Sequence, residues 1–169
     1  DFSKPIALLI QHPVTTEHQL SYSQIKKTLQ ALFQLKMQTI IIMPNNDAGY
    51  SKIFHQISKS RQISYPSLSP VMYSNLLRNV SVLVGNSSSG IHETPTFKIP
   101  VVNSGTRQQG RERAGNVIDV GYDTKEIIAG INKAMTDKKF RKSLEKMENP
   151  YGDGHATEKI MKLLKKISL

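Results

Sequence analysis

A parallel β-sheet covered by helices on both faces is the fold class this sequence predicts. Short, nearly continuous apolar runs recur along it, such as Ile6–Ile10 and Val80–Val84. Strands this apolar need cover on both sides, as parallel sheets have. Segments with apolar residues at helical spacing alternate with the runs, the order of a doubly wound α/β fold. The 169 residues contain no internal repeat, low-complexity stretch or linker, so one domain with a sizeable core is expected.

Each element has its own signal. Pro5–Gln11 predicts a buried strand, and Ser21–Lys36 a helix with Ile25, Leu29, Leu32 and Phe33 on one face. Gln38–Met43 is a second strand, stopped by Pro44, and Tyr50–Lys59 a helix carrying Ile53, Phe54 and Ile57. Gln62–Tyr65 is a weak strand and Val71–Arg78 a short helix. Val80–Val84 is a third good strand, followed by a short helix over Gly90–Thr96. Pro100–Asn103 starts at a proline, where a missing N–H does little harm, and Asn116–Val120 is another short strand. Asp123 or Thr124 caps a helix with Ile127, Ile128 and Ile131 inward. Helices over Asp137–Met147 and His155–Ile167 finish the chain, the last with an apolar stripe of Ile160, Leu163, Leu164 and Ile167.

The formal net charge is +10, which attracts anions: nucleic acid, a membrane surface or a phosphorylated ligand. Much of the excess lies along helices, as in Lys159, Lys162, Lys165 and Lys166, and suggests a solvated face. Aromatic residues, 7% of the chain, do not interleave with the basic clusters as base stacking requires, so no nucleic-acid partner is expected. Zero cysteines exclude disulfides and thiolate metal sites, and no two histidines have the spacing of a helical zinc motif. The apolar runs are too short to span a bilayer, and no signal peptide opens the chain. No metal, no membrane contact and a cytoplasmic location are therefore expected. The chain opens at Asp1 rather than Met, which suggests a piece of a longer protein.

In a doubly wound sheet, ligands bind outside the carboxyl ends of the strands. The segments at that edge are Gln11–Glu17, Pro44–Gly49, Gly85–Gly90 with Glu93 beyond it, and Asn103–Arg111. They bring hydroxyls, amides, His12 and arginines to one edge. Small residues in Gly85-Asn86-Ser87-Ser88-Ser89-Gly90 let backbone approach an anion closely, and Ser87 and Ser88 add donors. Arg107, or Arg111 and Arg113, would neutralise phosphate charge. Glu93 suits sugar hydroxyls better than phosphate. The same serine loop also suits a plain helix N-cap, and His12 a structural histidine. The loop lacks the P-loop lysine, the three-glycine dinucleotide fingerprint and the glycine that a nucleophile elbow needs where Ser89 stands.

At these loops the sequence resembles the hydrolysing UDP-N-acetylglucosamine 2-epimerases. The resemblance is carried by Gln11-His12-Pro13-Val14-Thr15-Thr16-Glu17, Pro44–Gly49, Gly85–Glu93, Pro100–Arg111 and Tyr151-Gly152-Asp153-Gly154-His155-Ala156, in order and over nearly the whole chain. It implies the C-terminal, Rossmann-like half of a glycosyltransferase-B-type enzyme, with residues 1–169 as one nucleotide-sugar-binding domain. By motif, Ser87, Ser88 and Arg107 would bind the UDP diphosphate, Glu93 the ribose and Ser69 with Tyr73 the uracil. His12 would be the catalytic residue at the sugar–diphosphate junction. Asp153 is expected to cap the last helix.

The reaction implied is elimination of UDP followed by hydration, giving N-acetylmannosamine for sialic acid-type biosynthesis without a cofactor. The N-terminal domain, with its catalytic acids, would be the missing partner, and the full-length enzyme a homo-oligomer. This chain alone is expected to bind nucleotide and turn over nothing. Related GDP-linked or diacetamido sugars, a glycosyltransferase-B nucleotide-binding half and a basic nucleic-acid-binding module are the alternatives.

Overall fold

The computed structural model describes residues 3–167. Its strands are β1 (Ile6–Ile10), β2 (Gln38–Ile42), β3 (Ile63–Tyr65), β4 (Val82–Gly85), β5 (Val101–Ser104) and β6 (Val117–Val120). They form one sheet in the order β3-β2-β1-β4-β5-β6, with every pair parallel. The helices are α1 (Ser21–Gln34), α2 (Tyr50–Lys59), α3 (Pro70–Asn79), α4 (Ser89–His92), α5 (Thr124–Thr136), α6 (Lys138–Glu145) and α7 (Ala156–Leu164). Two 3-10 turns, Thr15–Leu20 and Thr94–Phe97, complete the set.

β1, β4 and β5 are buried along their whole length. β1 and β4 are apolar up to Gly85, as burial on both faces requires, whereas β5 ends in the buried polar Asn103 and Ser104. Alternate residues of β1 serve opposite cores. Ala7 and Leu9 pack with Ile25 and Leu32 of α1, Ile53 and Ile57 of α2, and Ile127 and Ile131 of α5. Ile6, Leu8 and Ile10 pack with Leu77 of α3 and with Ile99, joined by the half-buried Phe97. The sheet is thus the doubly wound one that the alternating pattern predicts.

Local chemistry sets the helix starts. Asp123 accepts the Lys125 N–H at 2.8 Å and Asp137 the Phe140 N–H at 3.0 Å, each an N-cap side chain. Ser69 accepts the Met72 N–H at 3.3 Å, with Pro70 in the first turn where its missing N–H costs nothing. The expected single helix over Gly90–Thr96 is instead two short pieces. Pro95 brings no amide donor to the second, and the chain is helical as far as His92 and 3-10 from Thr94.

The apolar stripe of the last helix finds no core. Ile160, Leu163, Leu164 and Ile167 are 53–63% exposed, and α7 buries no residue. Phe33, expected on the inner face of α1, is 79% exposed, because that face runs through Ile25, Ala31 and Leu32 instead. Phe54 likewise stays at the surface, against the ring of Tyr50. The contrast is measurable. Leu163→Ala with Leu164→Ala is expected to shift stability by less than about 0.5 kcal/mol, as at other uncovered positions. Ile131→Ala in the α5 core should cost about 2–5 kcal/mol. Urea midpoints of the two variants check this.

Candidate functional site

The strand order reverses direction between β1 and β4, where the chain passes from building one wing of the sheet to building the other. Outside such a switch point the loops part and leave a crevice for a ligand. The loops that leave the sheet here begin at Gln11 and Asn86, directly beyond the last paired residues, Ile10 and Gly85. Gly85 is essential to that approach. Its φ is +125°, and a Cβ on it would lie 2.1 Å from the Ile10 carbonyl oxygen.

Past the last rung, the Asn86 side chain continues the pairing that the backbone gives up. It accepts the His12 N–H at 2.7 Å and donates to the His12 carbonyl at 2.9 Å, while the Asn86 N–H bonds to the Ile10 carbonyl at 3.1 Å. Its own carbonyl receives Gln108 Nε2 at 2.7 Å and Arg107 Nη1 at 3.3 Å. One buried asparagine therefore fastens the loops after β1, β4 and β5 together. The loop after β2 joins through the Asn45 N–H, which donates to His12 Nδ1 at 3.0 Å. Glu17 adds a further tie, accepting from Gln24 of α1 at 2.7 Å and from Thr106 at 2.9 Å.

The serines divide their tasks. Ser87 is buried and accepts the Ser89 N–H at 3.3 Å. The Ser89 hydroxyl is bonded to the Tyr73 hydroxyl. Ser88 is partly exposed, and its side chain makes no cap bond to α4. α4 has only four residues and so carries little helix dipole, and its amides from Ser89 to His92 bond within the loop itself. Glu93 is exposed directly after α4, and Tyr73 reaches the loop from α3. Burial raises the Tyr73 hydroxyl to about 12, so it remains a neutral phenol. Ser69 lies at the head of the same helix with its hydroxyl committed to the cap.

The arginines separate as well. Arg113 forks onto Asp119, so its charge is already answered. Exposed Arg111 lies 3.4 Å from His92, whose ring packs on Tyr151 at a centroid distance of 4.3 Å. Arg107 has no carboxylate partner among the described residues. Burial chiefly lowers its pKa, with Arg111 adding to this and Asp47 opposing it, yet a guanidinium stays charged at neutral pH. It is the cation held against the serine loop. Asp153 accepts from Lys159 at 3.0 Å and from the His155 N–H at 3.1 Å just before α7. The N-cap is His155 and no side chain caps the helix, so Asp153 does not take the capping role expected of it.

His12 is partly buried, and its pKa falls to about 4. Loss of hydration is the main cause and the Arg107 charge the second, while Asn45 and Asp47 act the other way. The ring is therefore neutral at physiological pH, whereas an unperturbed histidine would titrate near it. Buried polar atoms without a protein partner also gather at this edge: Gln11, Asn45 Oδ1, Ser104 and Gln108 Oε1 among the described residues. Among those residues there is no His, Cys, Asp and Glu cluster that could hold a metal and no helix long and apolar enough to cross a membrane.

A family model described as UDP-N-acetylglucosamine 2-epimerase matches residues 1–165. The chain belongs to the UDP-N-acetylglucosamine 2-epimerase family. A UDP-N,N'-diacetylbacillosamine 2-epimerase (hydrolyzing) of Legionella pneumophila is 37% identical over all of this chain and 45% of its own length. A UDP-N-acetylglucosamine 2-epimerase of Neisseria meningitidis is 38% identical over 76% of this chain and 35% of its own. The chain thus spans less than half the length of these relatives. In fold, it resembles the structure of UDP-GlcNAc 2-epimerase from Neisseria meningitidis bound to UDP-GlcNAc. The TM-score is 0.77 at 19% identity, over 99% of this chain and 46% of that one.

The residues singled out by sequence, His12, Ser87, Ser88, Arg107 and Glu93, thus lie along one edge, with Tyr73 bonded to the serine loop. Asn86 is what sequence reasoning missed. It stands inside the motif, but its role as a clasp follows from an inward-turned side chain, which residue spacing does not reveal. Gly85 carried a usable signal: a glycine ending an apolar strand before a serine run marks a close backbone approach.

Proposed function

We propose that this chain is the C-terminal nucleotide-sugar-binding domain of a hydrolysing UDP-N-acetylglucosamine 2-epimerase. The carrying observation is the Asn86 clasp, which holds His12, the serine loop and Arg107 together at the β1/β4 switch point. In this reading Ser88, the neighbouring amides and Arg107 take the diphosphate, and Glu93 takes the ribose hydroxyls. The uracil lies toward Tyr73 and the head of α3. The chemistry is elimination: a base removes the proton at C2, the C1–O bond breaks, and its electron pair leaves with UDP. Water then adds across the new double bond to release N-acetylmannosamine, the entry to sialic acid-type sugars. Stabilising the departing diphosphate is this domain's share, and pre-placed donors with one cation suit it. The base, the acids and a homo-oligomeric assembly belong to a longer cytoplasmic enzyme with an N-terminal domain.

A diacetamido sugar in place of N-acetylglucosamine is the second reading, favoured by the name of the Legionella relative. Titration of this chain with UDP, GDP and ADP by calorimetry tests the core claim. UDP is expected to bind best, with affinity reduced at least about tenfold in the Ser88→Ala, Arg107→Ala double variant, as loss of a charge-assisted contact implies. An equal response to all three nucleotides, or none, refutes it. Assay of the longer enzyme for free N-acetylmannosamine or its diacetamido counterpart then separates the sugars.

A further inference from the structure

His12 is held in a way that restricts what its ring can do. Its Nδ1 receives the Asn45 N–H at 3.0 Å, and a backbone amide can only donate. Nδ1 must therefore carry a lone pair, which in a neutral imidazole puts the proton on Nε2. Asn86 fixes the backbone that carries the ring, gripping both the N–H and the carbonyl of the same residue, and the Asn45 N–H holds the ring itself. The ring cannot take a second proton cheaply. An imidazolium donates from both nitrogens, so Nδ1–H would oppose the Asn45 N–H; burial and the Arg107 cation also disfavour it and outweigh the Asn45 side chain and Asp47, which act the other way. Nε2 has no protein partner among the described residues.

We infer that His12 is a fixed hydrogen-bond donor to the departing diphosphate through Nε2–H, locked in that tautomer by the Asn45 amide, and not the group that removes a proton from the sugar. This deepens the proposed function and rests on it for the identity of the acceptor. A neutral donor suits a leaving group that gathers negative charge, since its proton is in place before the bond breaks. It also assigns a purpose to the residue after Pro44: the backbone amide of Asn45 sets the tautomer of a histidine 33 residues away.

Two measurements decide it. Long-range proton–nitrogen correlation spectra of the histidine-labelled chain, without ligand, should show His12 with an unprotonated Nδ1 and a protonated Nε2 from pH 5.5 to 8. The His12→Gln spectrum assigns the signal. A protonated Nδ1, or an imidazolium at pH 6–7, overturns the inference whether or not UDP binds. The second measurement is UDP affinity. Glutamine can place an amide donor near the Nε2 position and asparagine cannot, so His12→Gln should bind within about threefold of wild type. His12→Asn should lose about tenfold, the scale of one hydrogen bond to a charged group. Equal losses in both variants overturn the donor role. Absence of UDP binding by the wild type refutes the proposed function while leaving the tautomer decided by the spectra.

Discussion

Gly85→Ala is expected to destabilise the chain by about 3–5 kcal/mol, the range reached when backbone strain and a steric clash coincide. At φ +125° an L side chain is strained whatever surrounds it. Here its Cβ would also press to 2.1 Å from the Ile10 carbonyl oxygen, which is backbone inside a fully buried strand and cannot swing aside. Relief requires β1 and β4 to part at their last rung, and that same movement pulls Asn86 off His12. Gly110→Ala is the control: its φ is +78°, but nothing lies within 4 Å of the added Cβ. It should cost only about 1 kcal/mol, the conformational part alone. Chemical denaturation of both variants checks the difference. Equal midpoints would mean that the close approach at Gly85 carries no energy.

Acid is expected to weaken the fold in a defined window. The unfolded His12 side chain takes a proton near pH 6.5, whereas the folded one resists until about 4. Between those values the unfolded state binds the extra proton, so stability falls as pH falls through the window and is unaffected by this group above it. The shift corresponds to about 2–3 kcal/mol after allowance for the part of the ring near solvent. Denaturation curves at pH 7.5, 6, 5 and 4 should show the decline in wild type, and His12→Gln should remove that portion of it. Identical pH profiles for the two proteins would show that the ring titrates normally.

Much of this architecture was legible before any coordinates. Continuous apolar runs such as Ile6–Ile10 identify strands covered on both faces, and their alternation with helices implies a doubly wound sheet. Periodicity misled where it reported an apolar face without reporting what covers it. The stripe from Ile160 to Ile167 has the same spacing as a core stripe, yet it lies in solvent. Candidate site residues were legible as types at strand ends, because topology alone brings His12, Ser87, Ser88 and Arg107 to one edge. Their states were not. The Asn45 amide that governs His12 belongs to the backbone, and every residue except proline offers one, so no letter of the sequence marks it. The three candidate arginines were distinguished only once Asp119 was seen to hold Arg113 and Asn86 to receive Arg107.

The uncovered face of α7 also bears on how the protein behaves at the bench. With a net charge of +10, molecules repel one another in dilute buffer, and that repulsion keeps Ile160, Leu163, Leu164 and Ile167 of neighbouring copies apart. Added salt shortens the reach of the repulsion to about 3 Å at 1 M, while excluded salts such as sulfate strengthen contact between apolar surfaces. Solubility should therefore decline with ionic strength rather than improve. Purification and spectroscopy are best done in buffers of modest salt, where charge alone keeps the exposed leucines and isoleucines from adhering to one another.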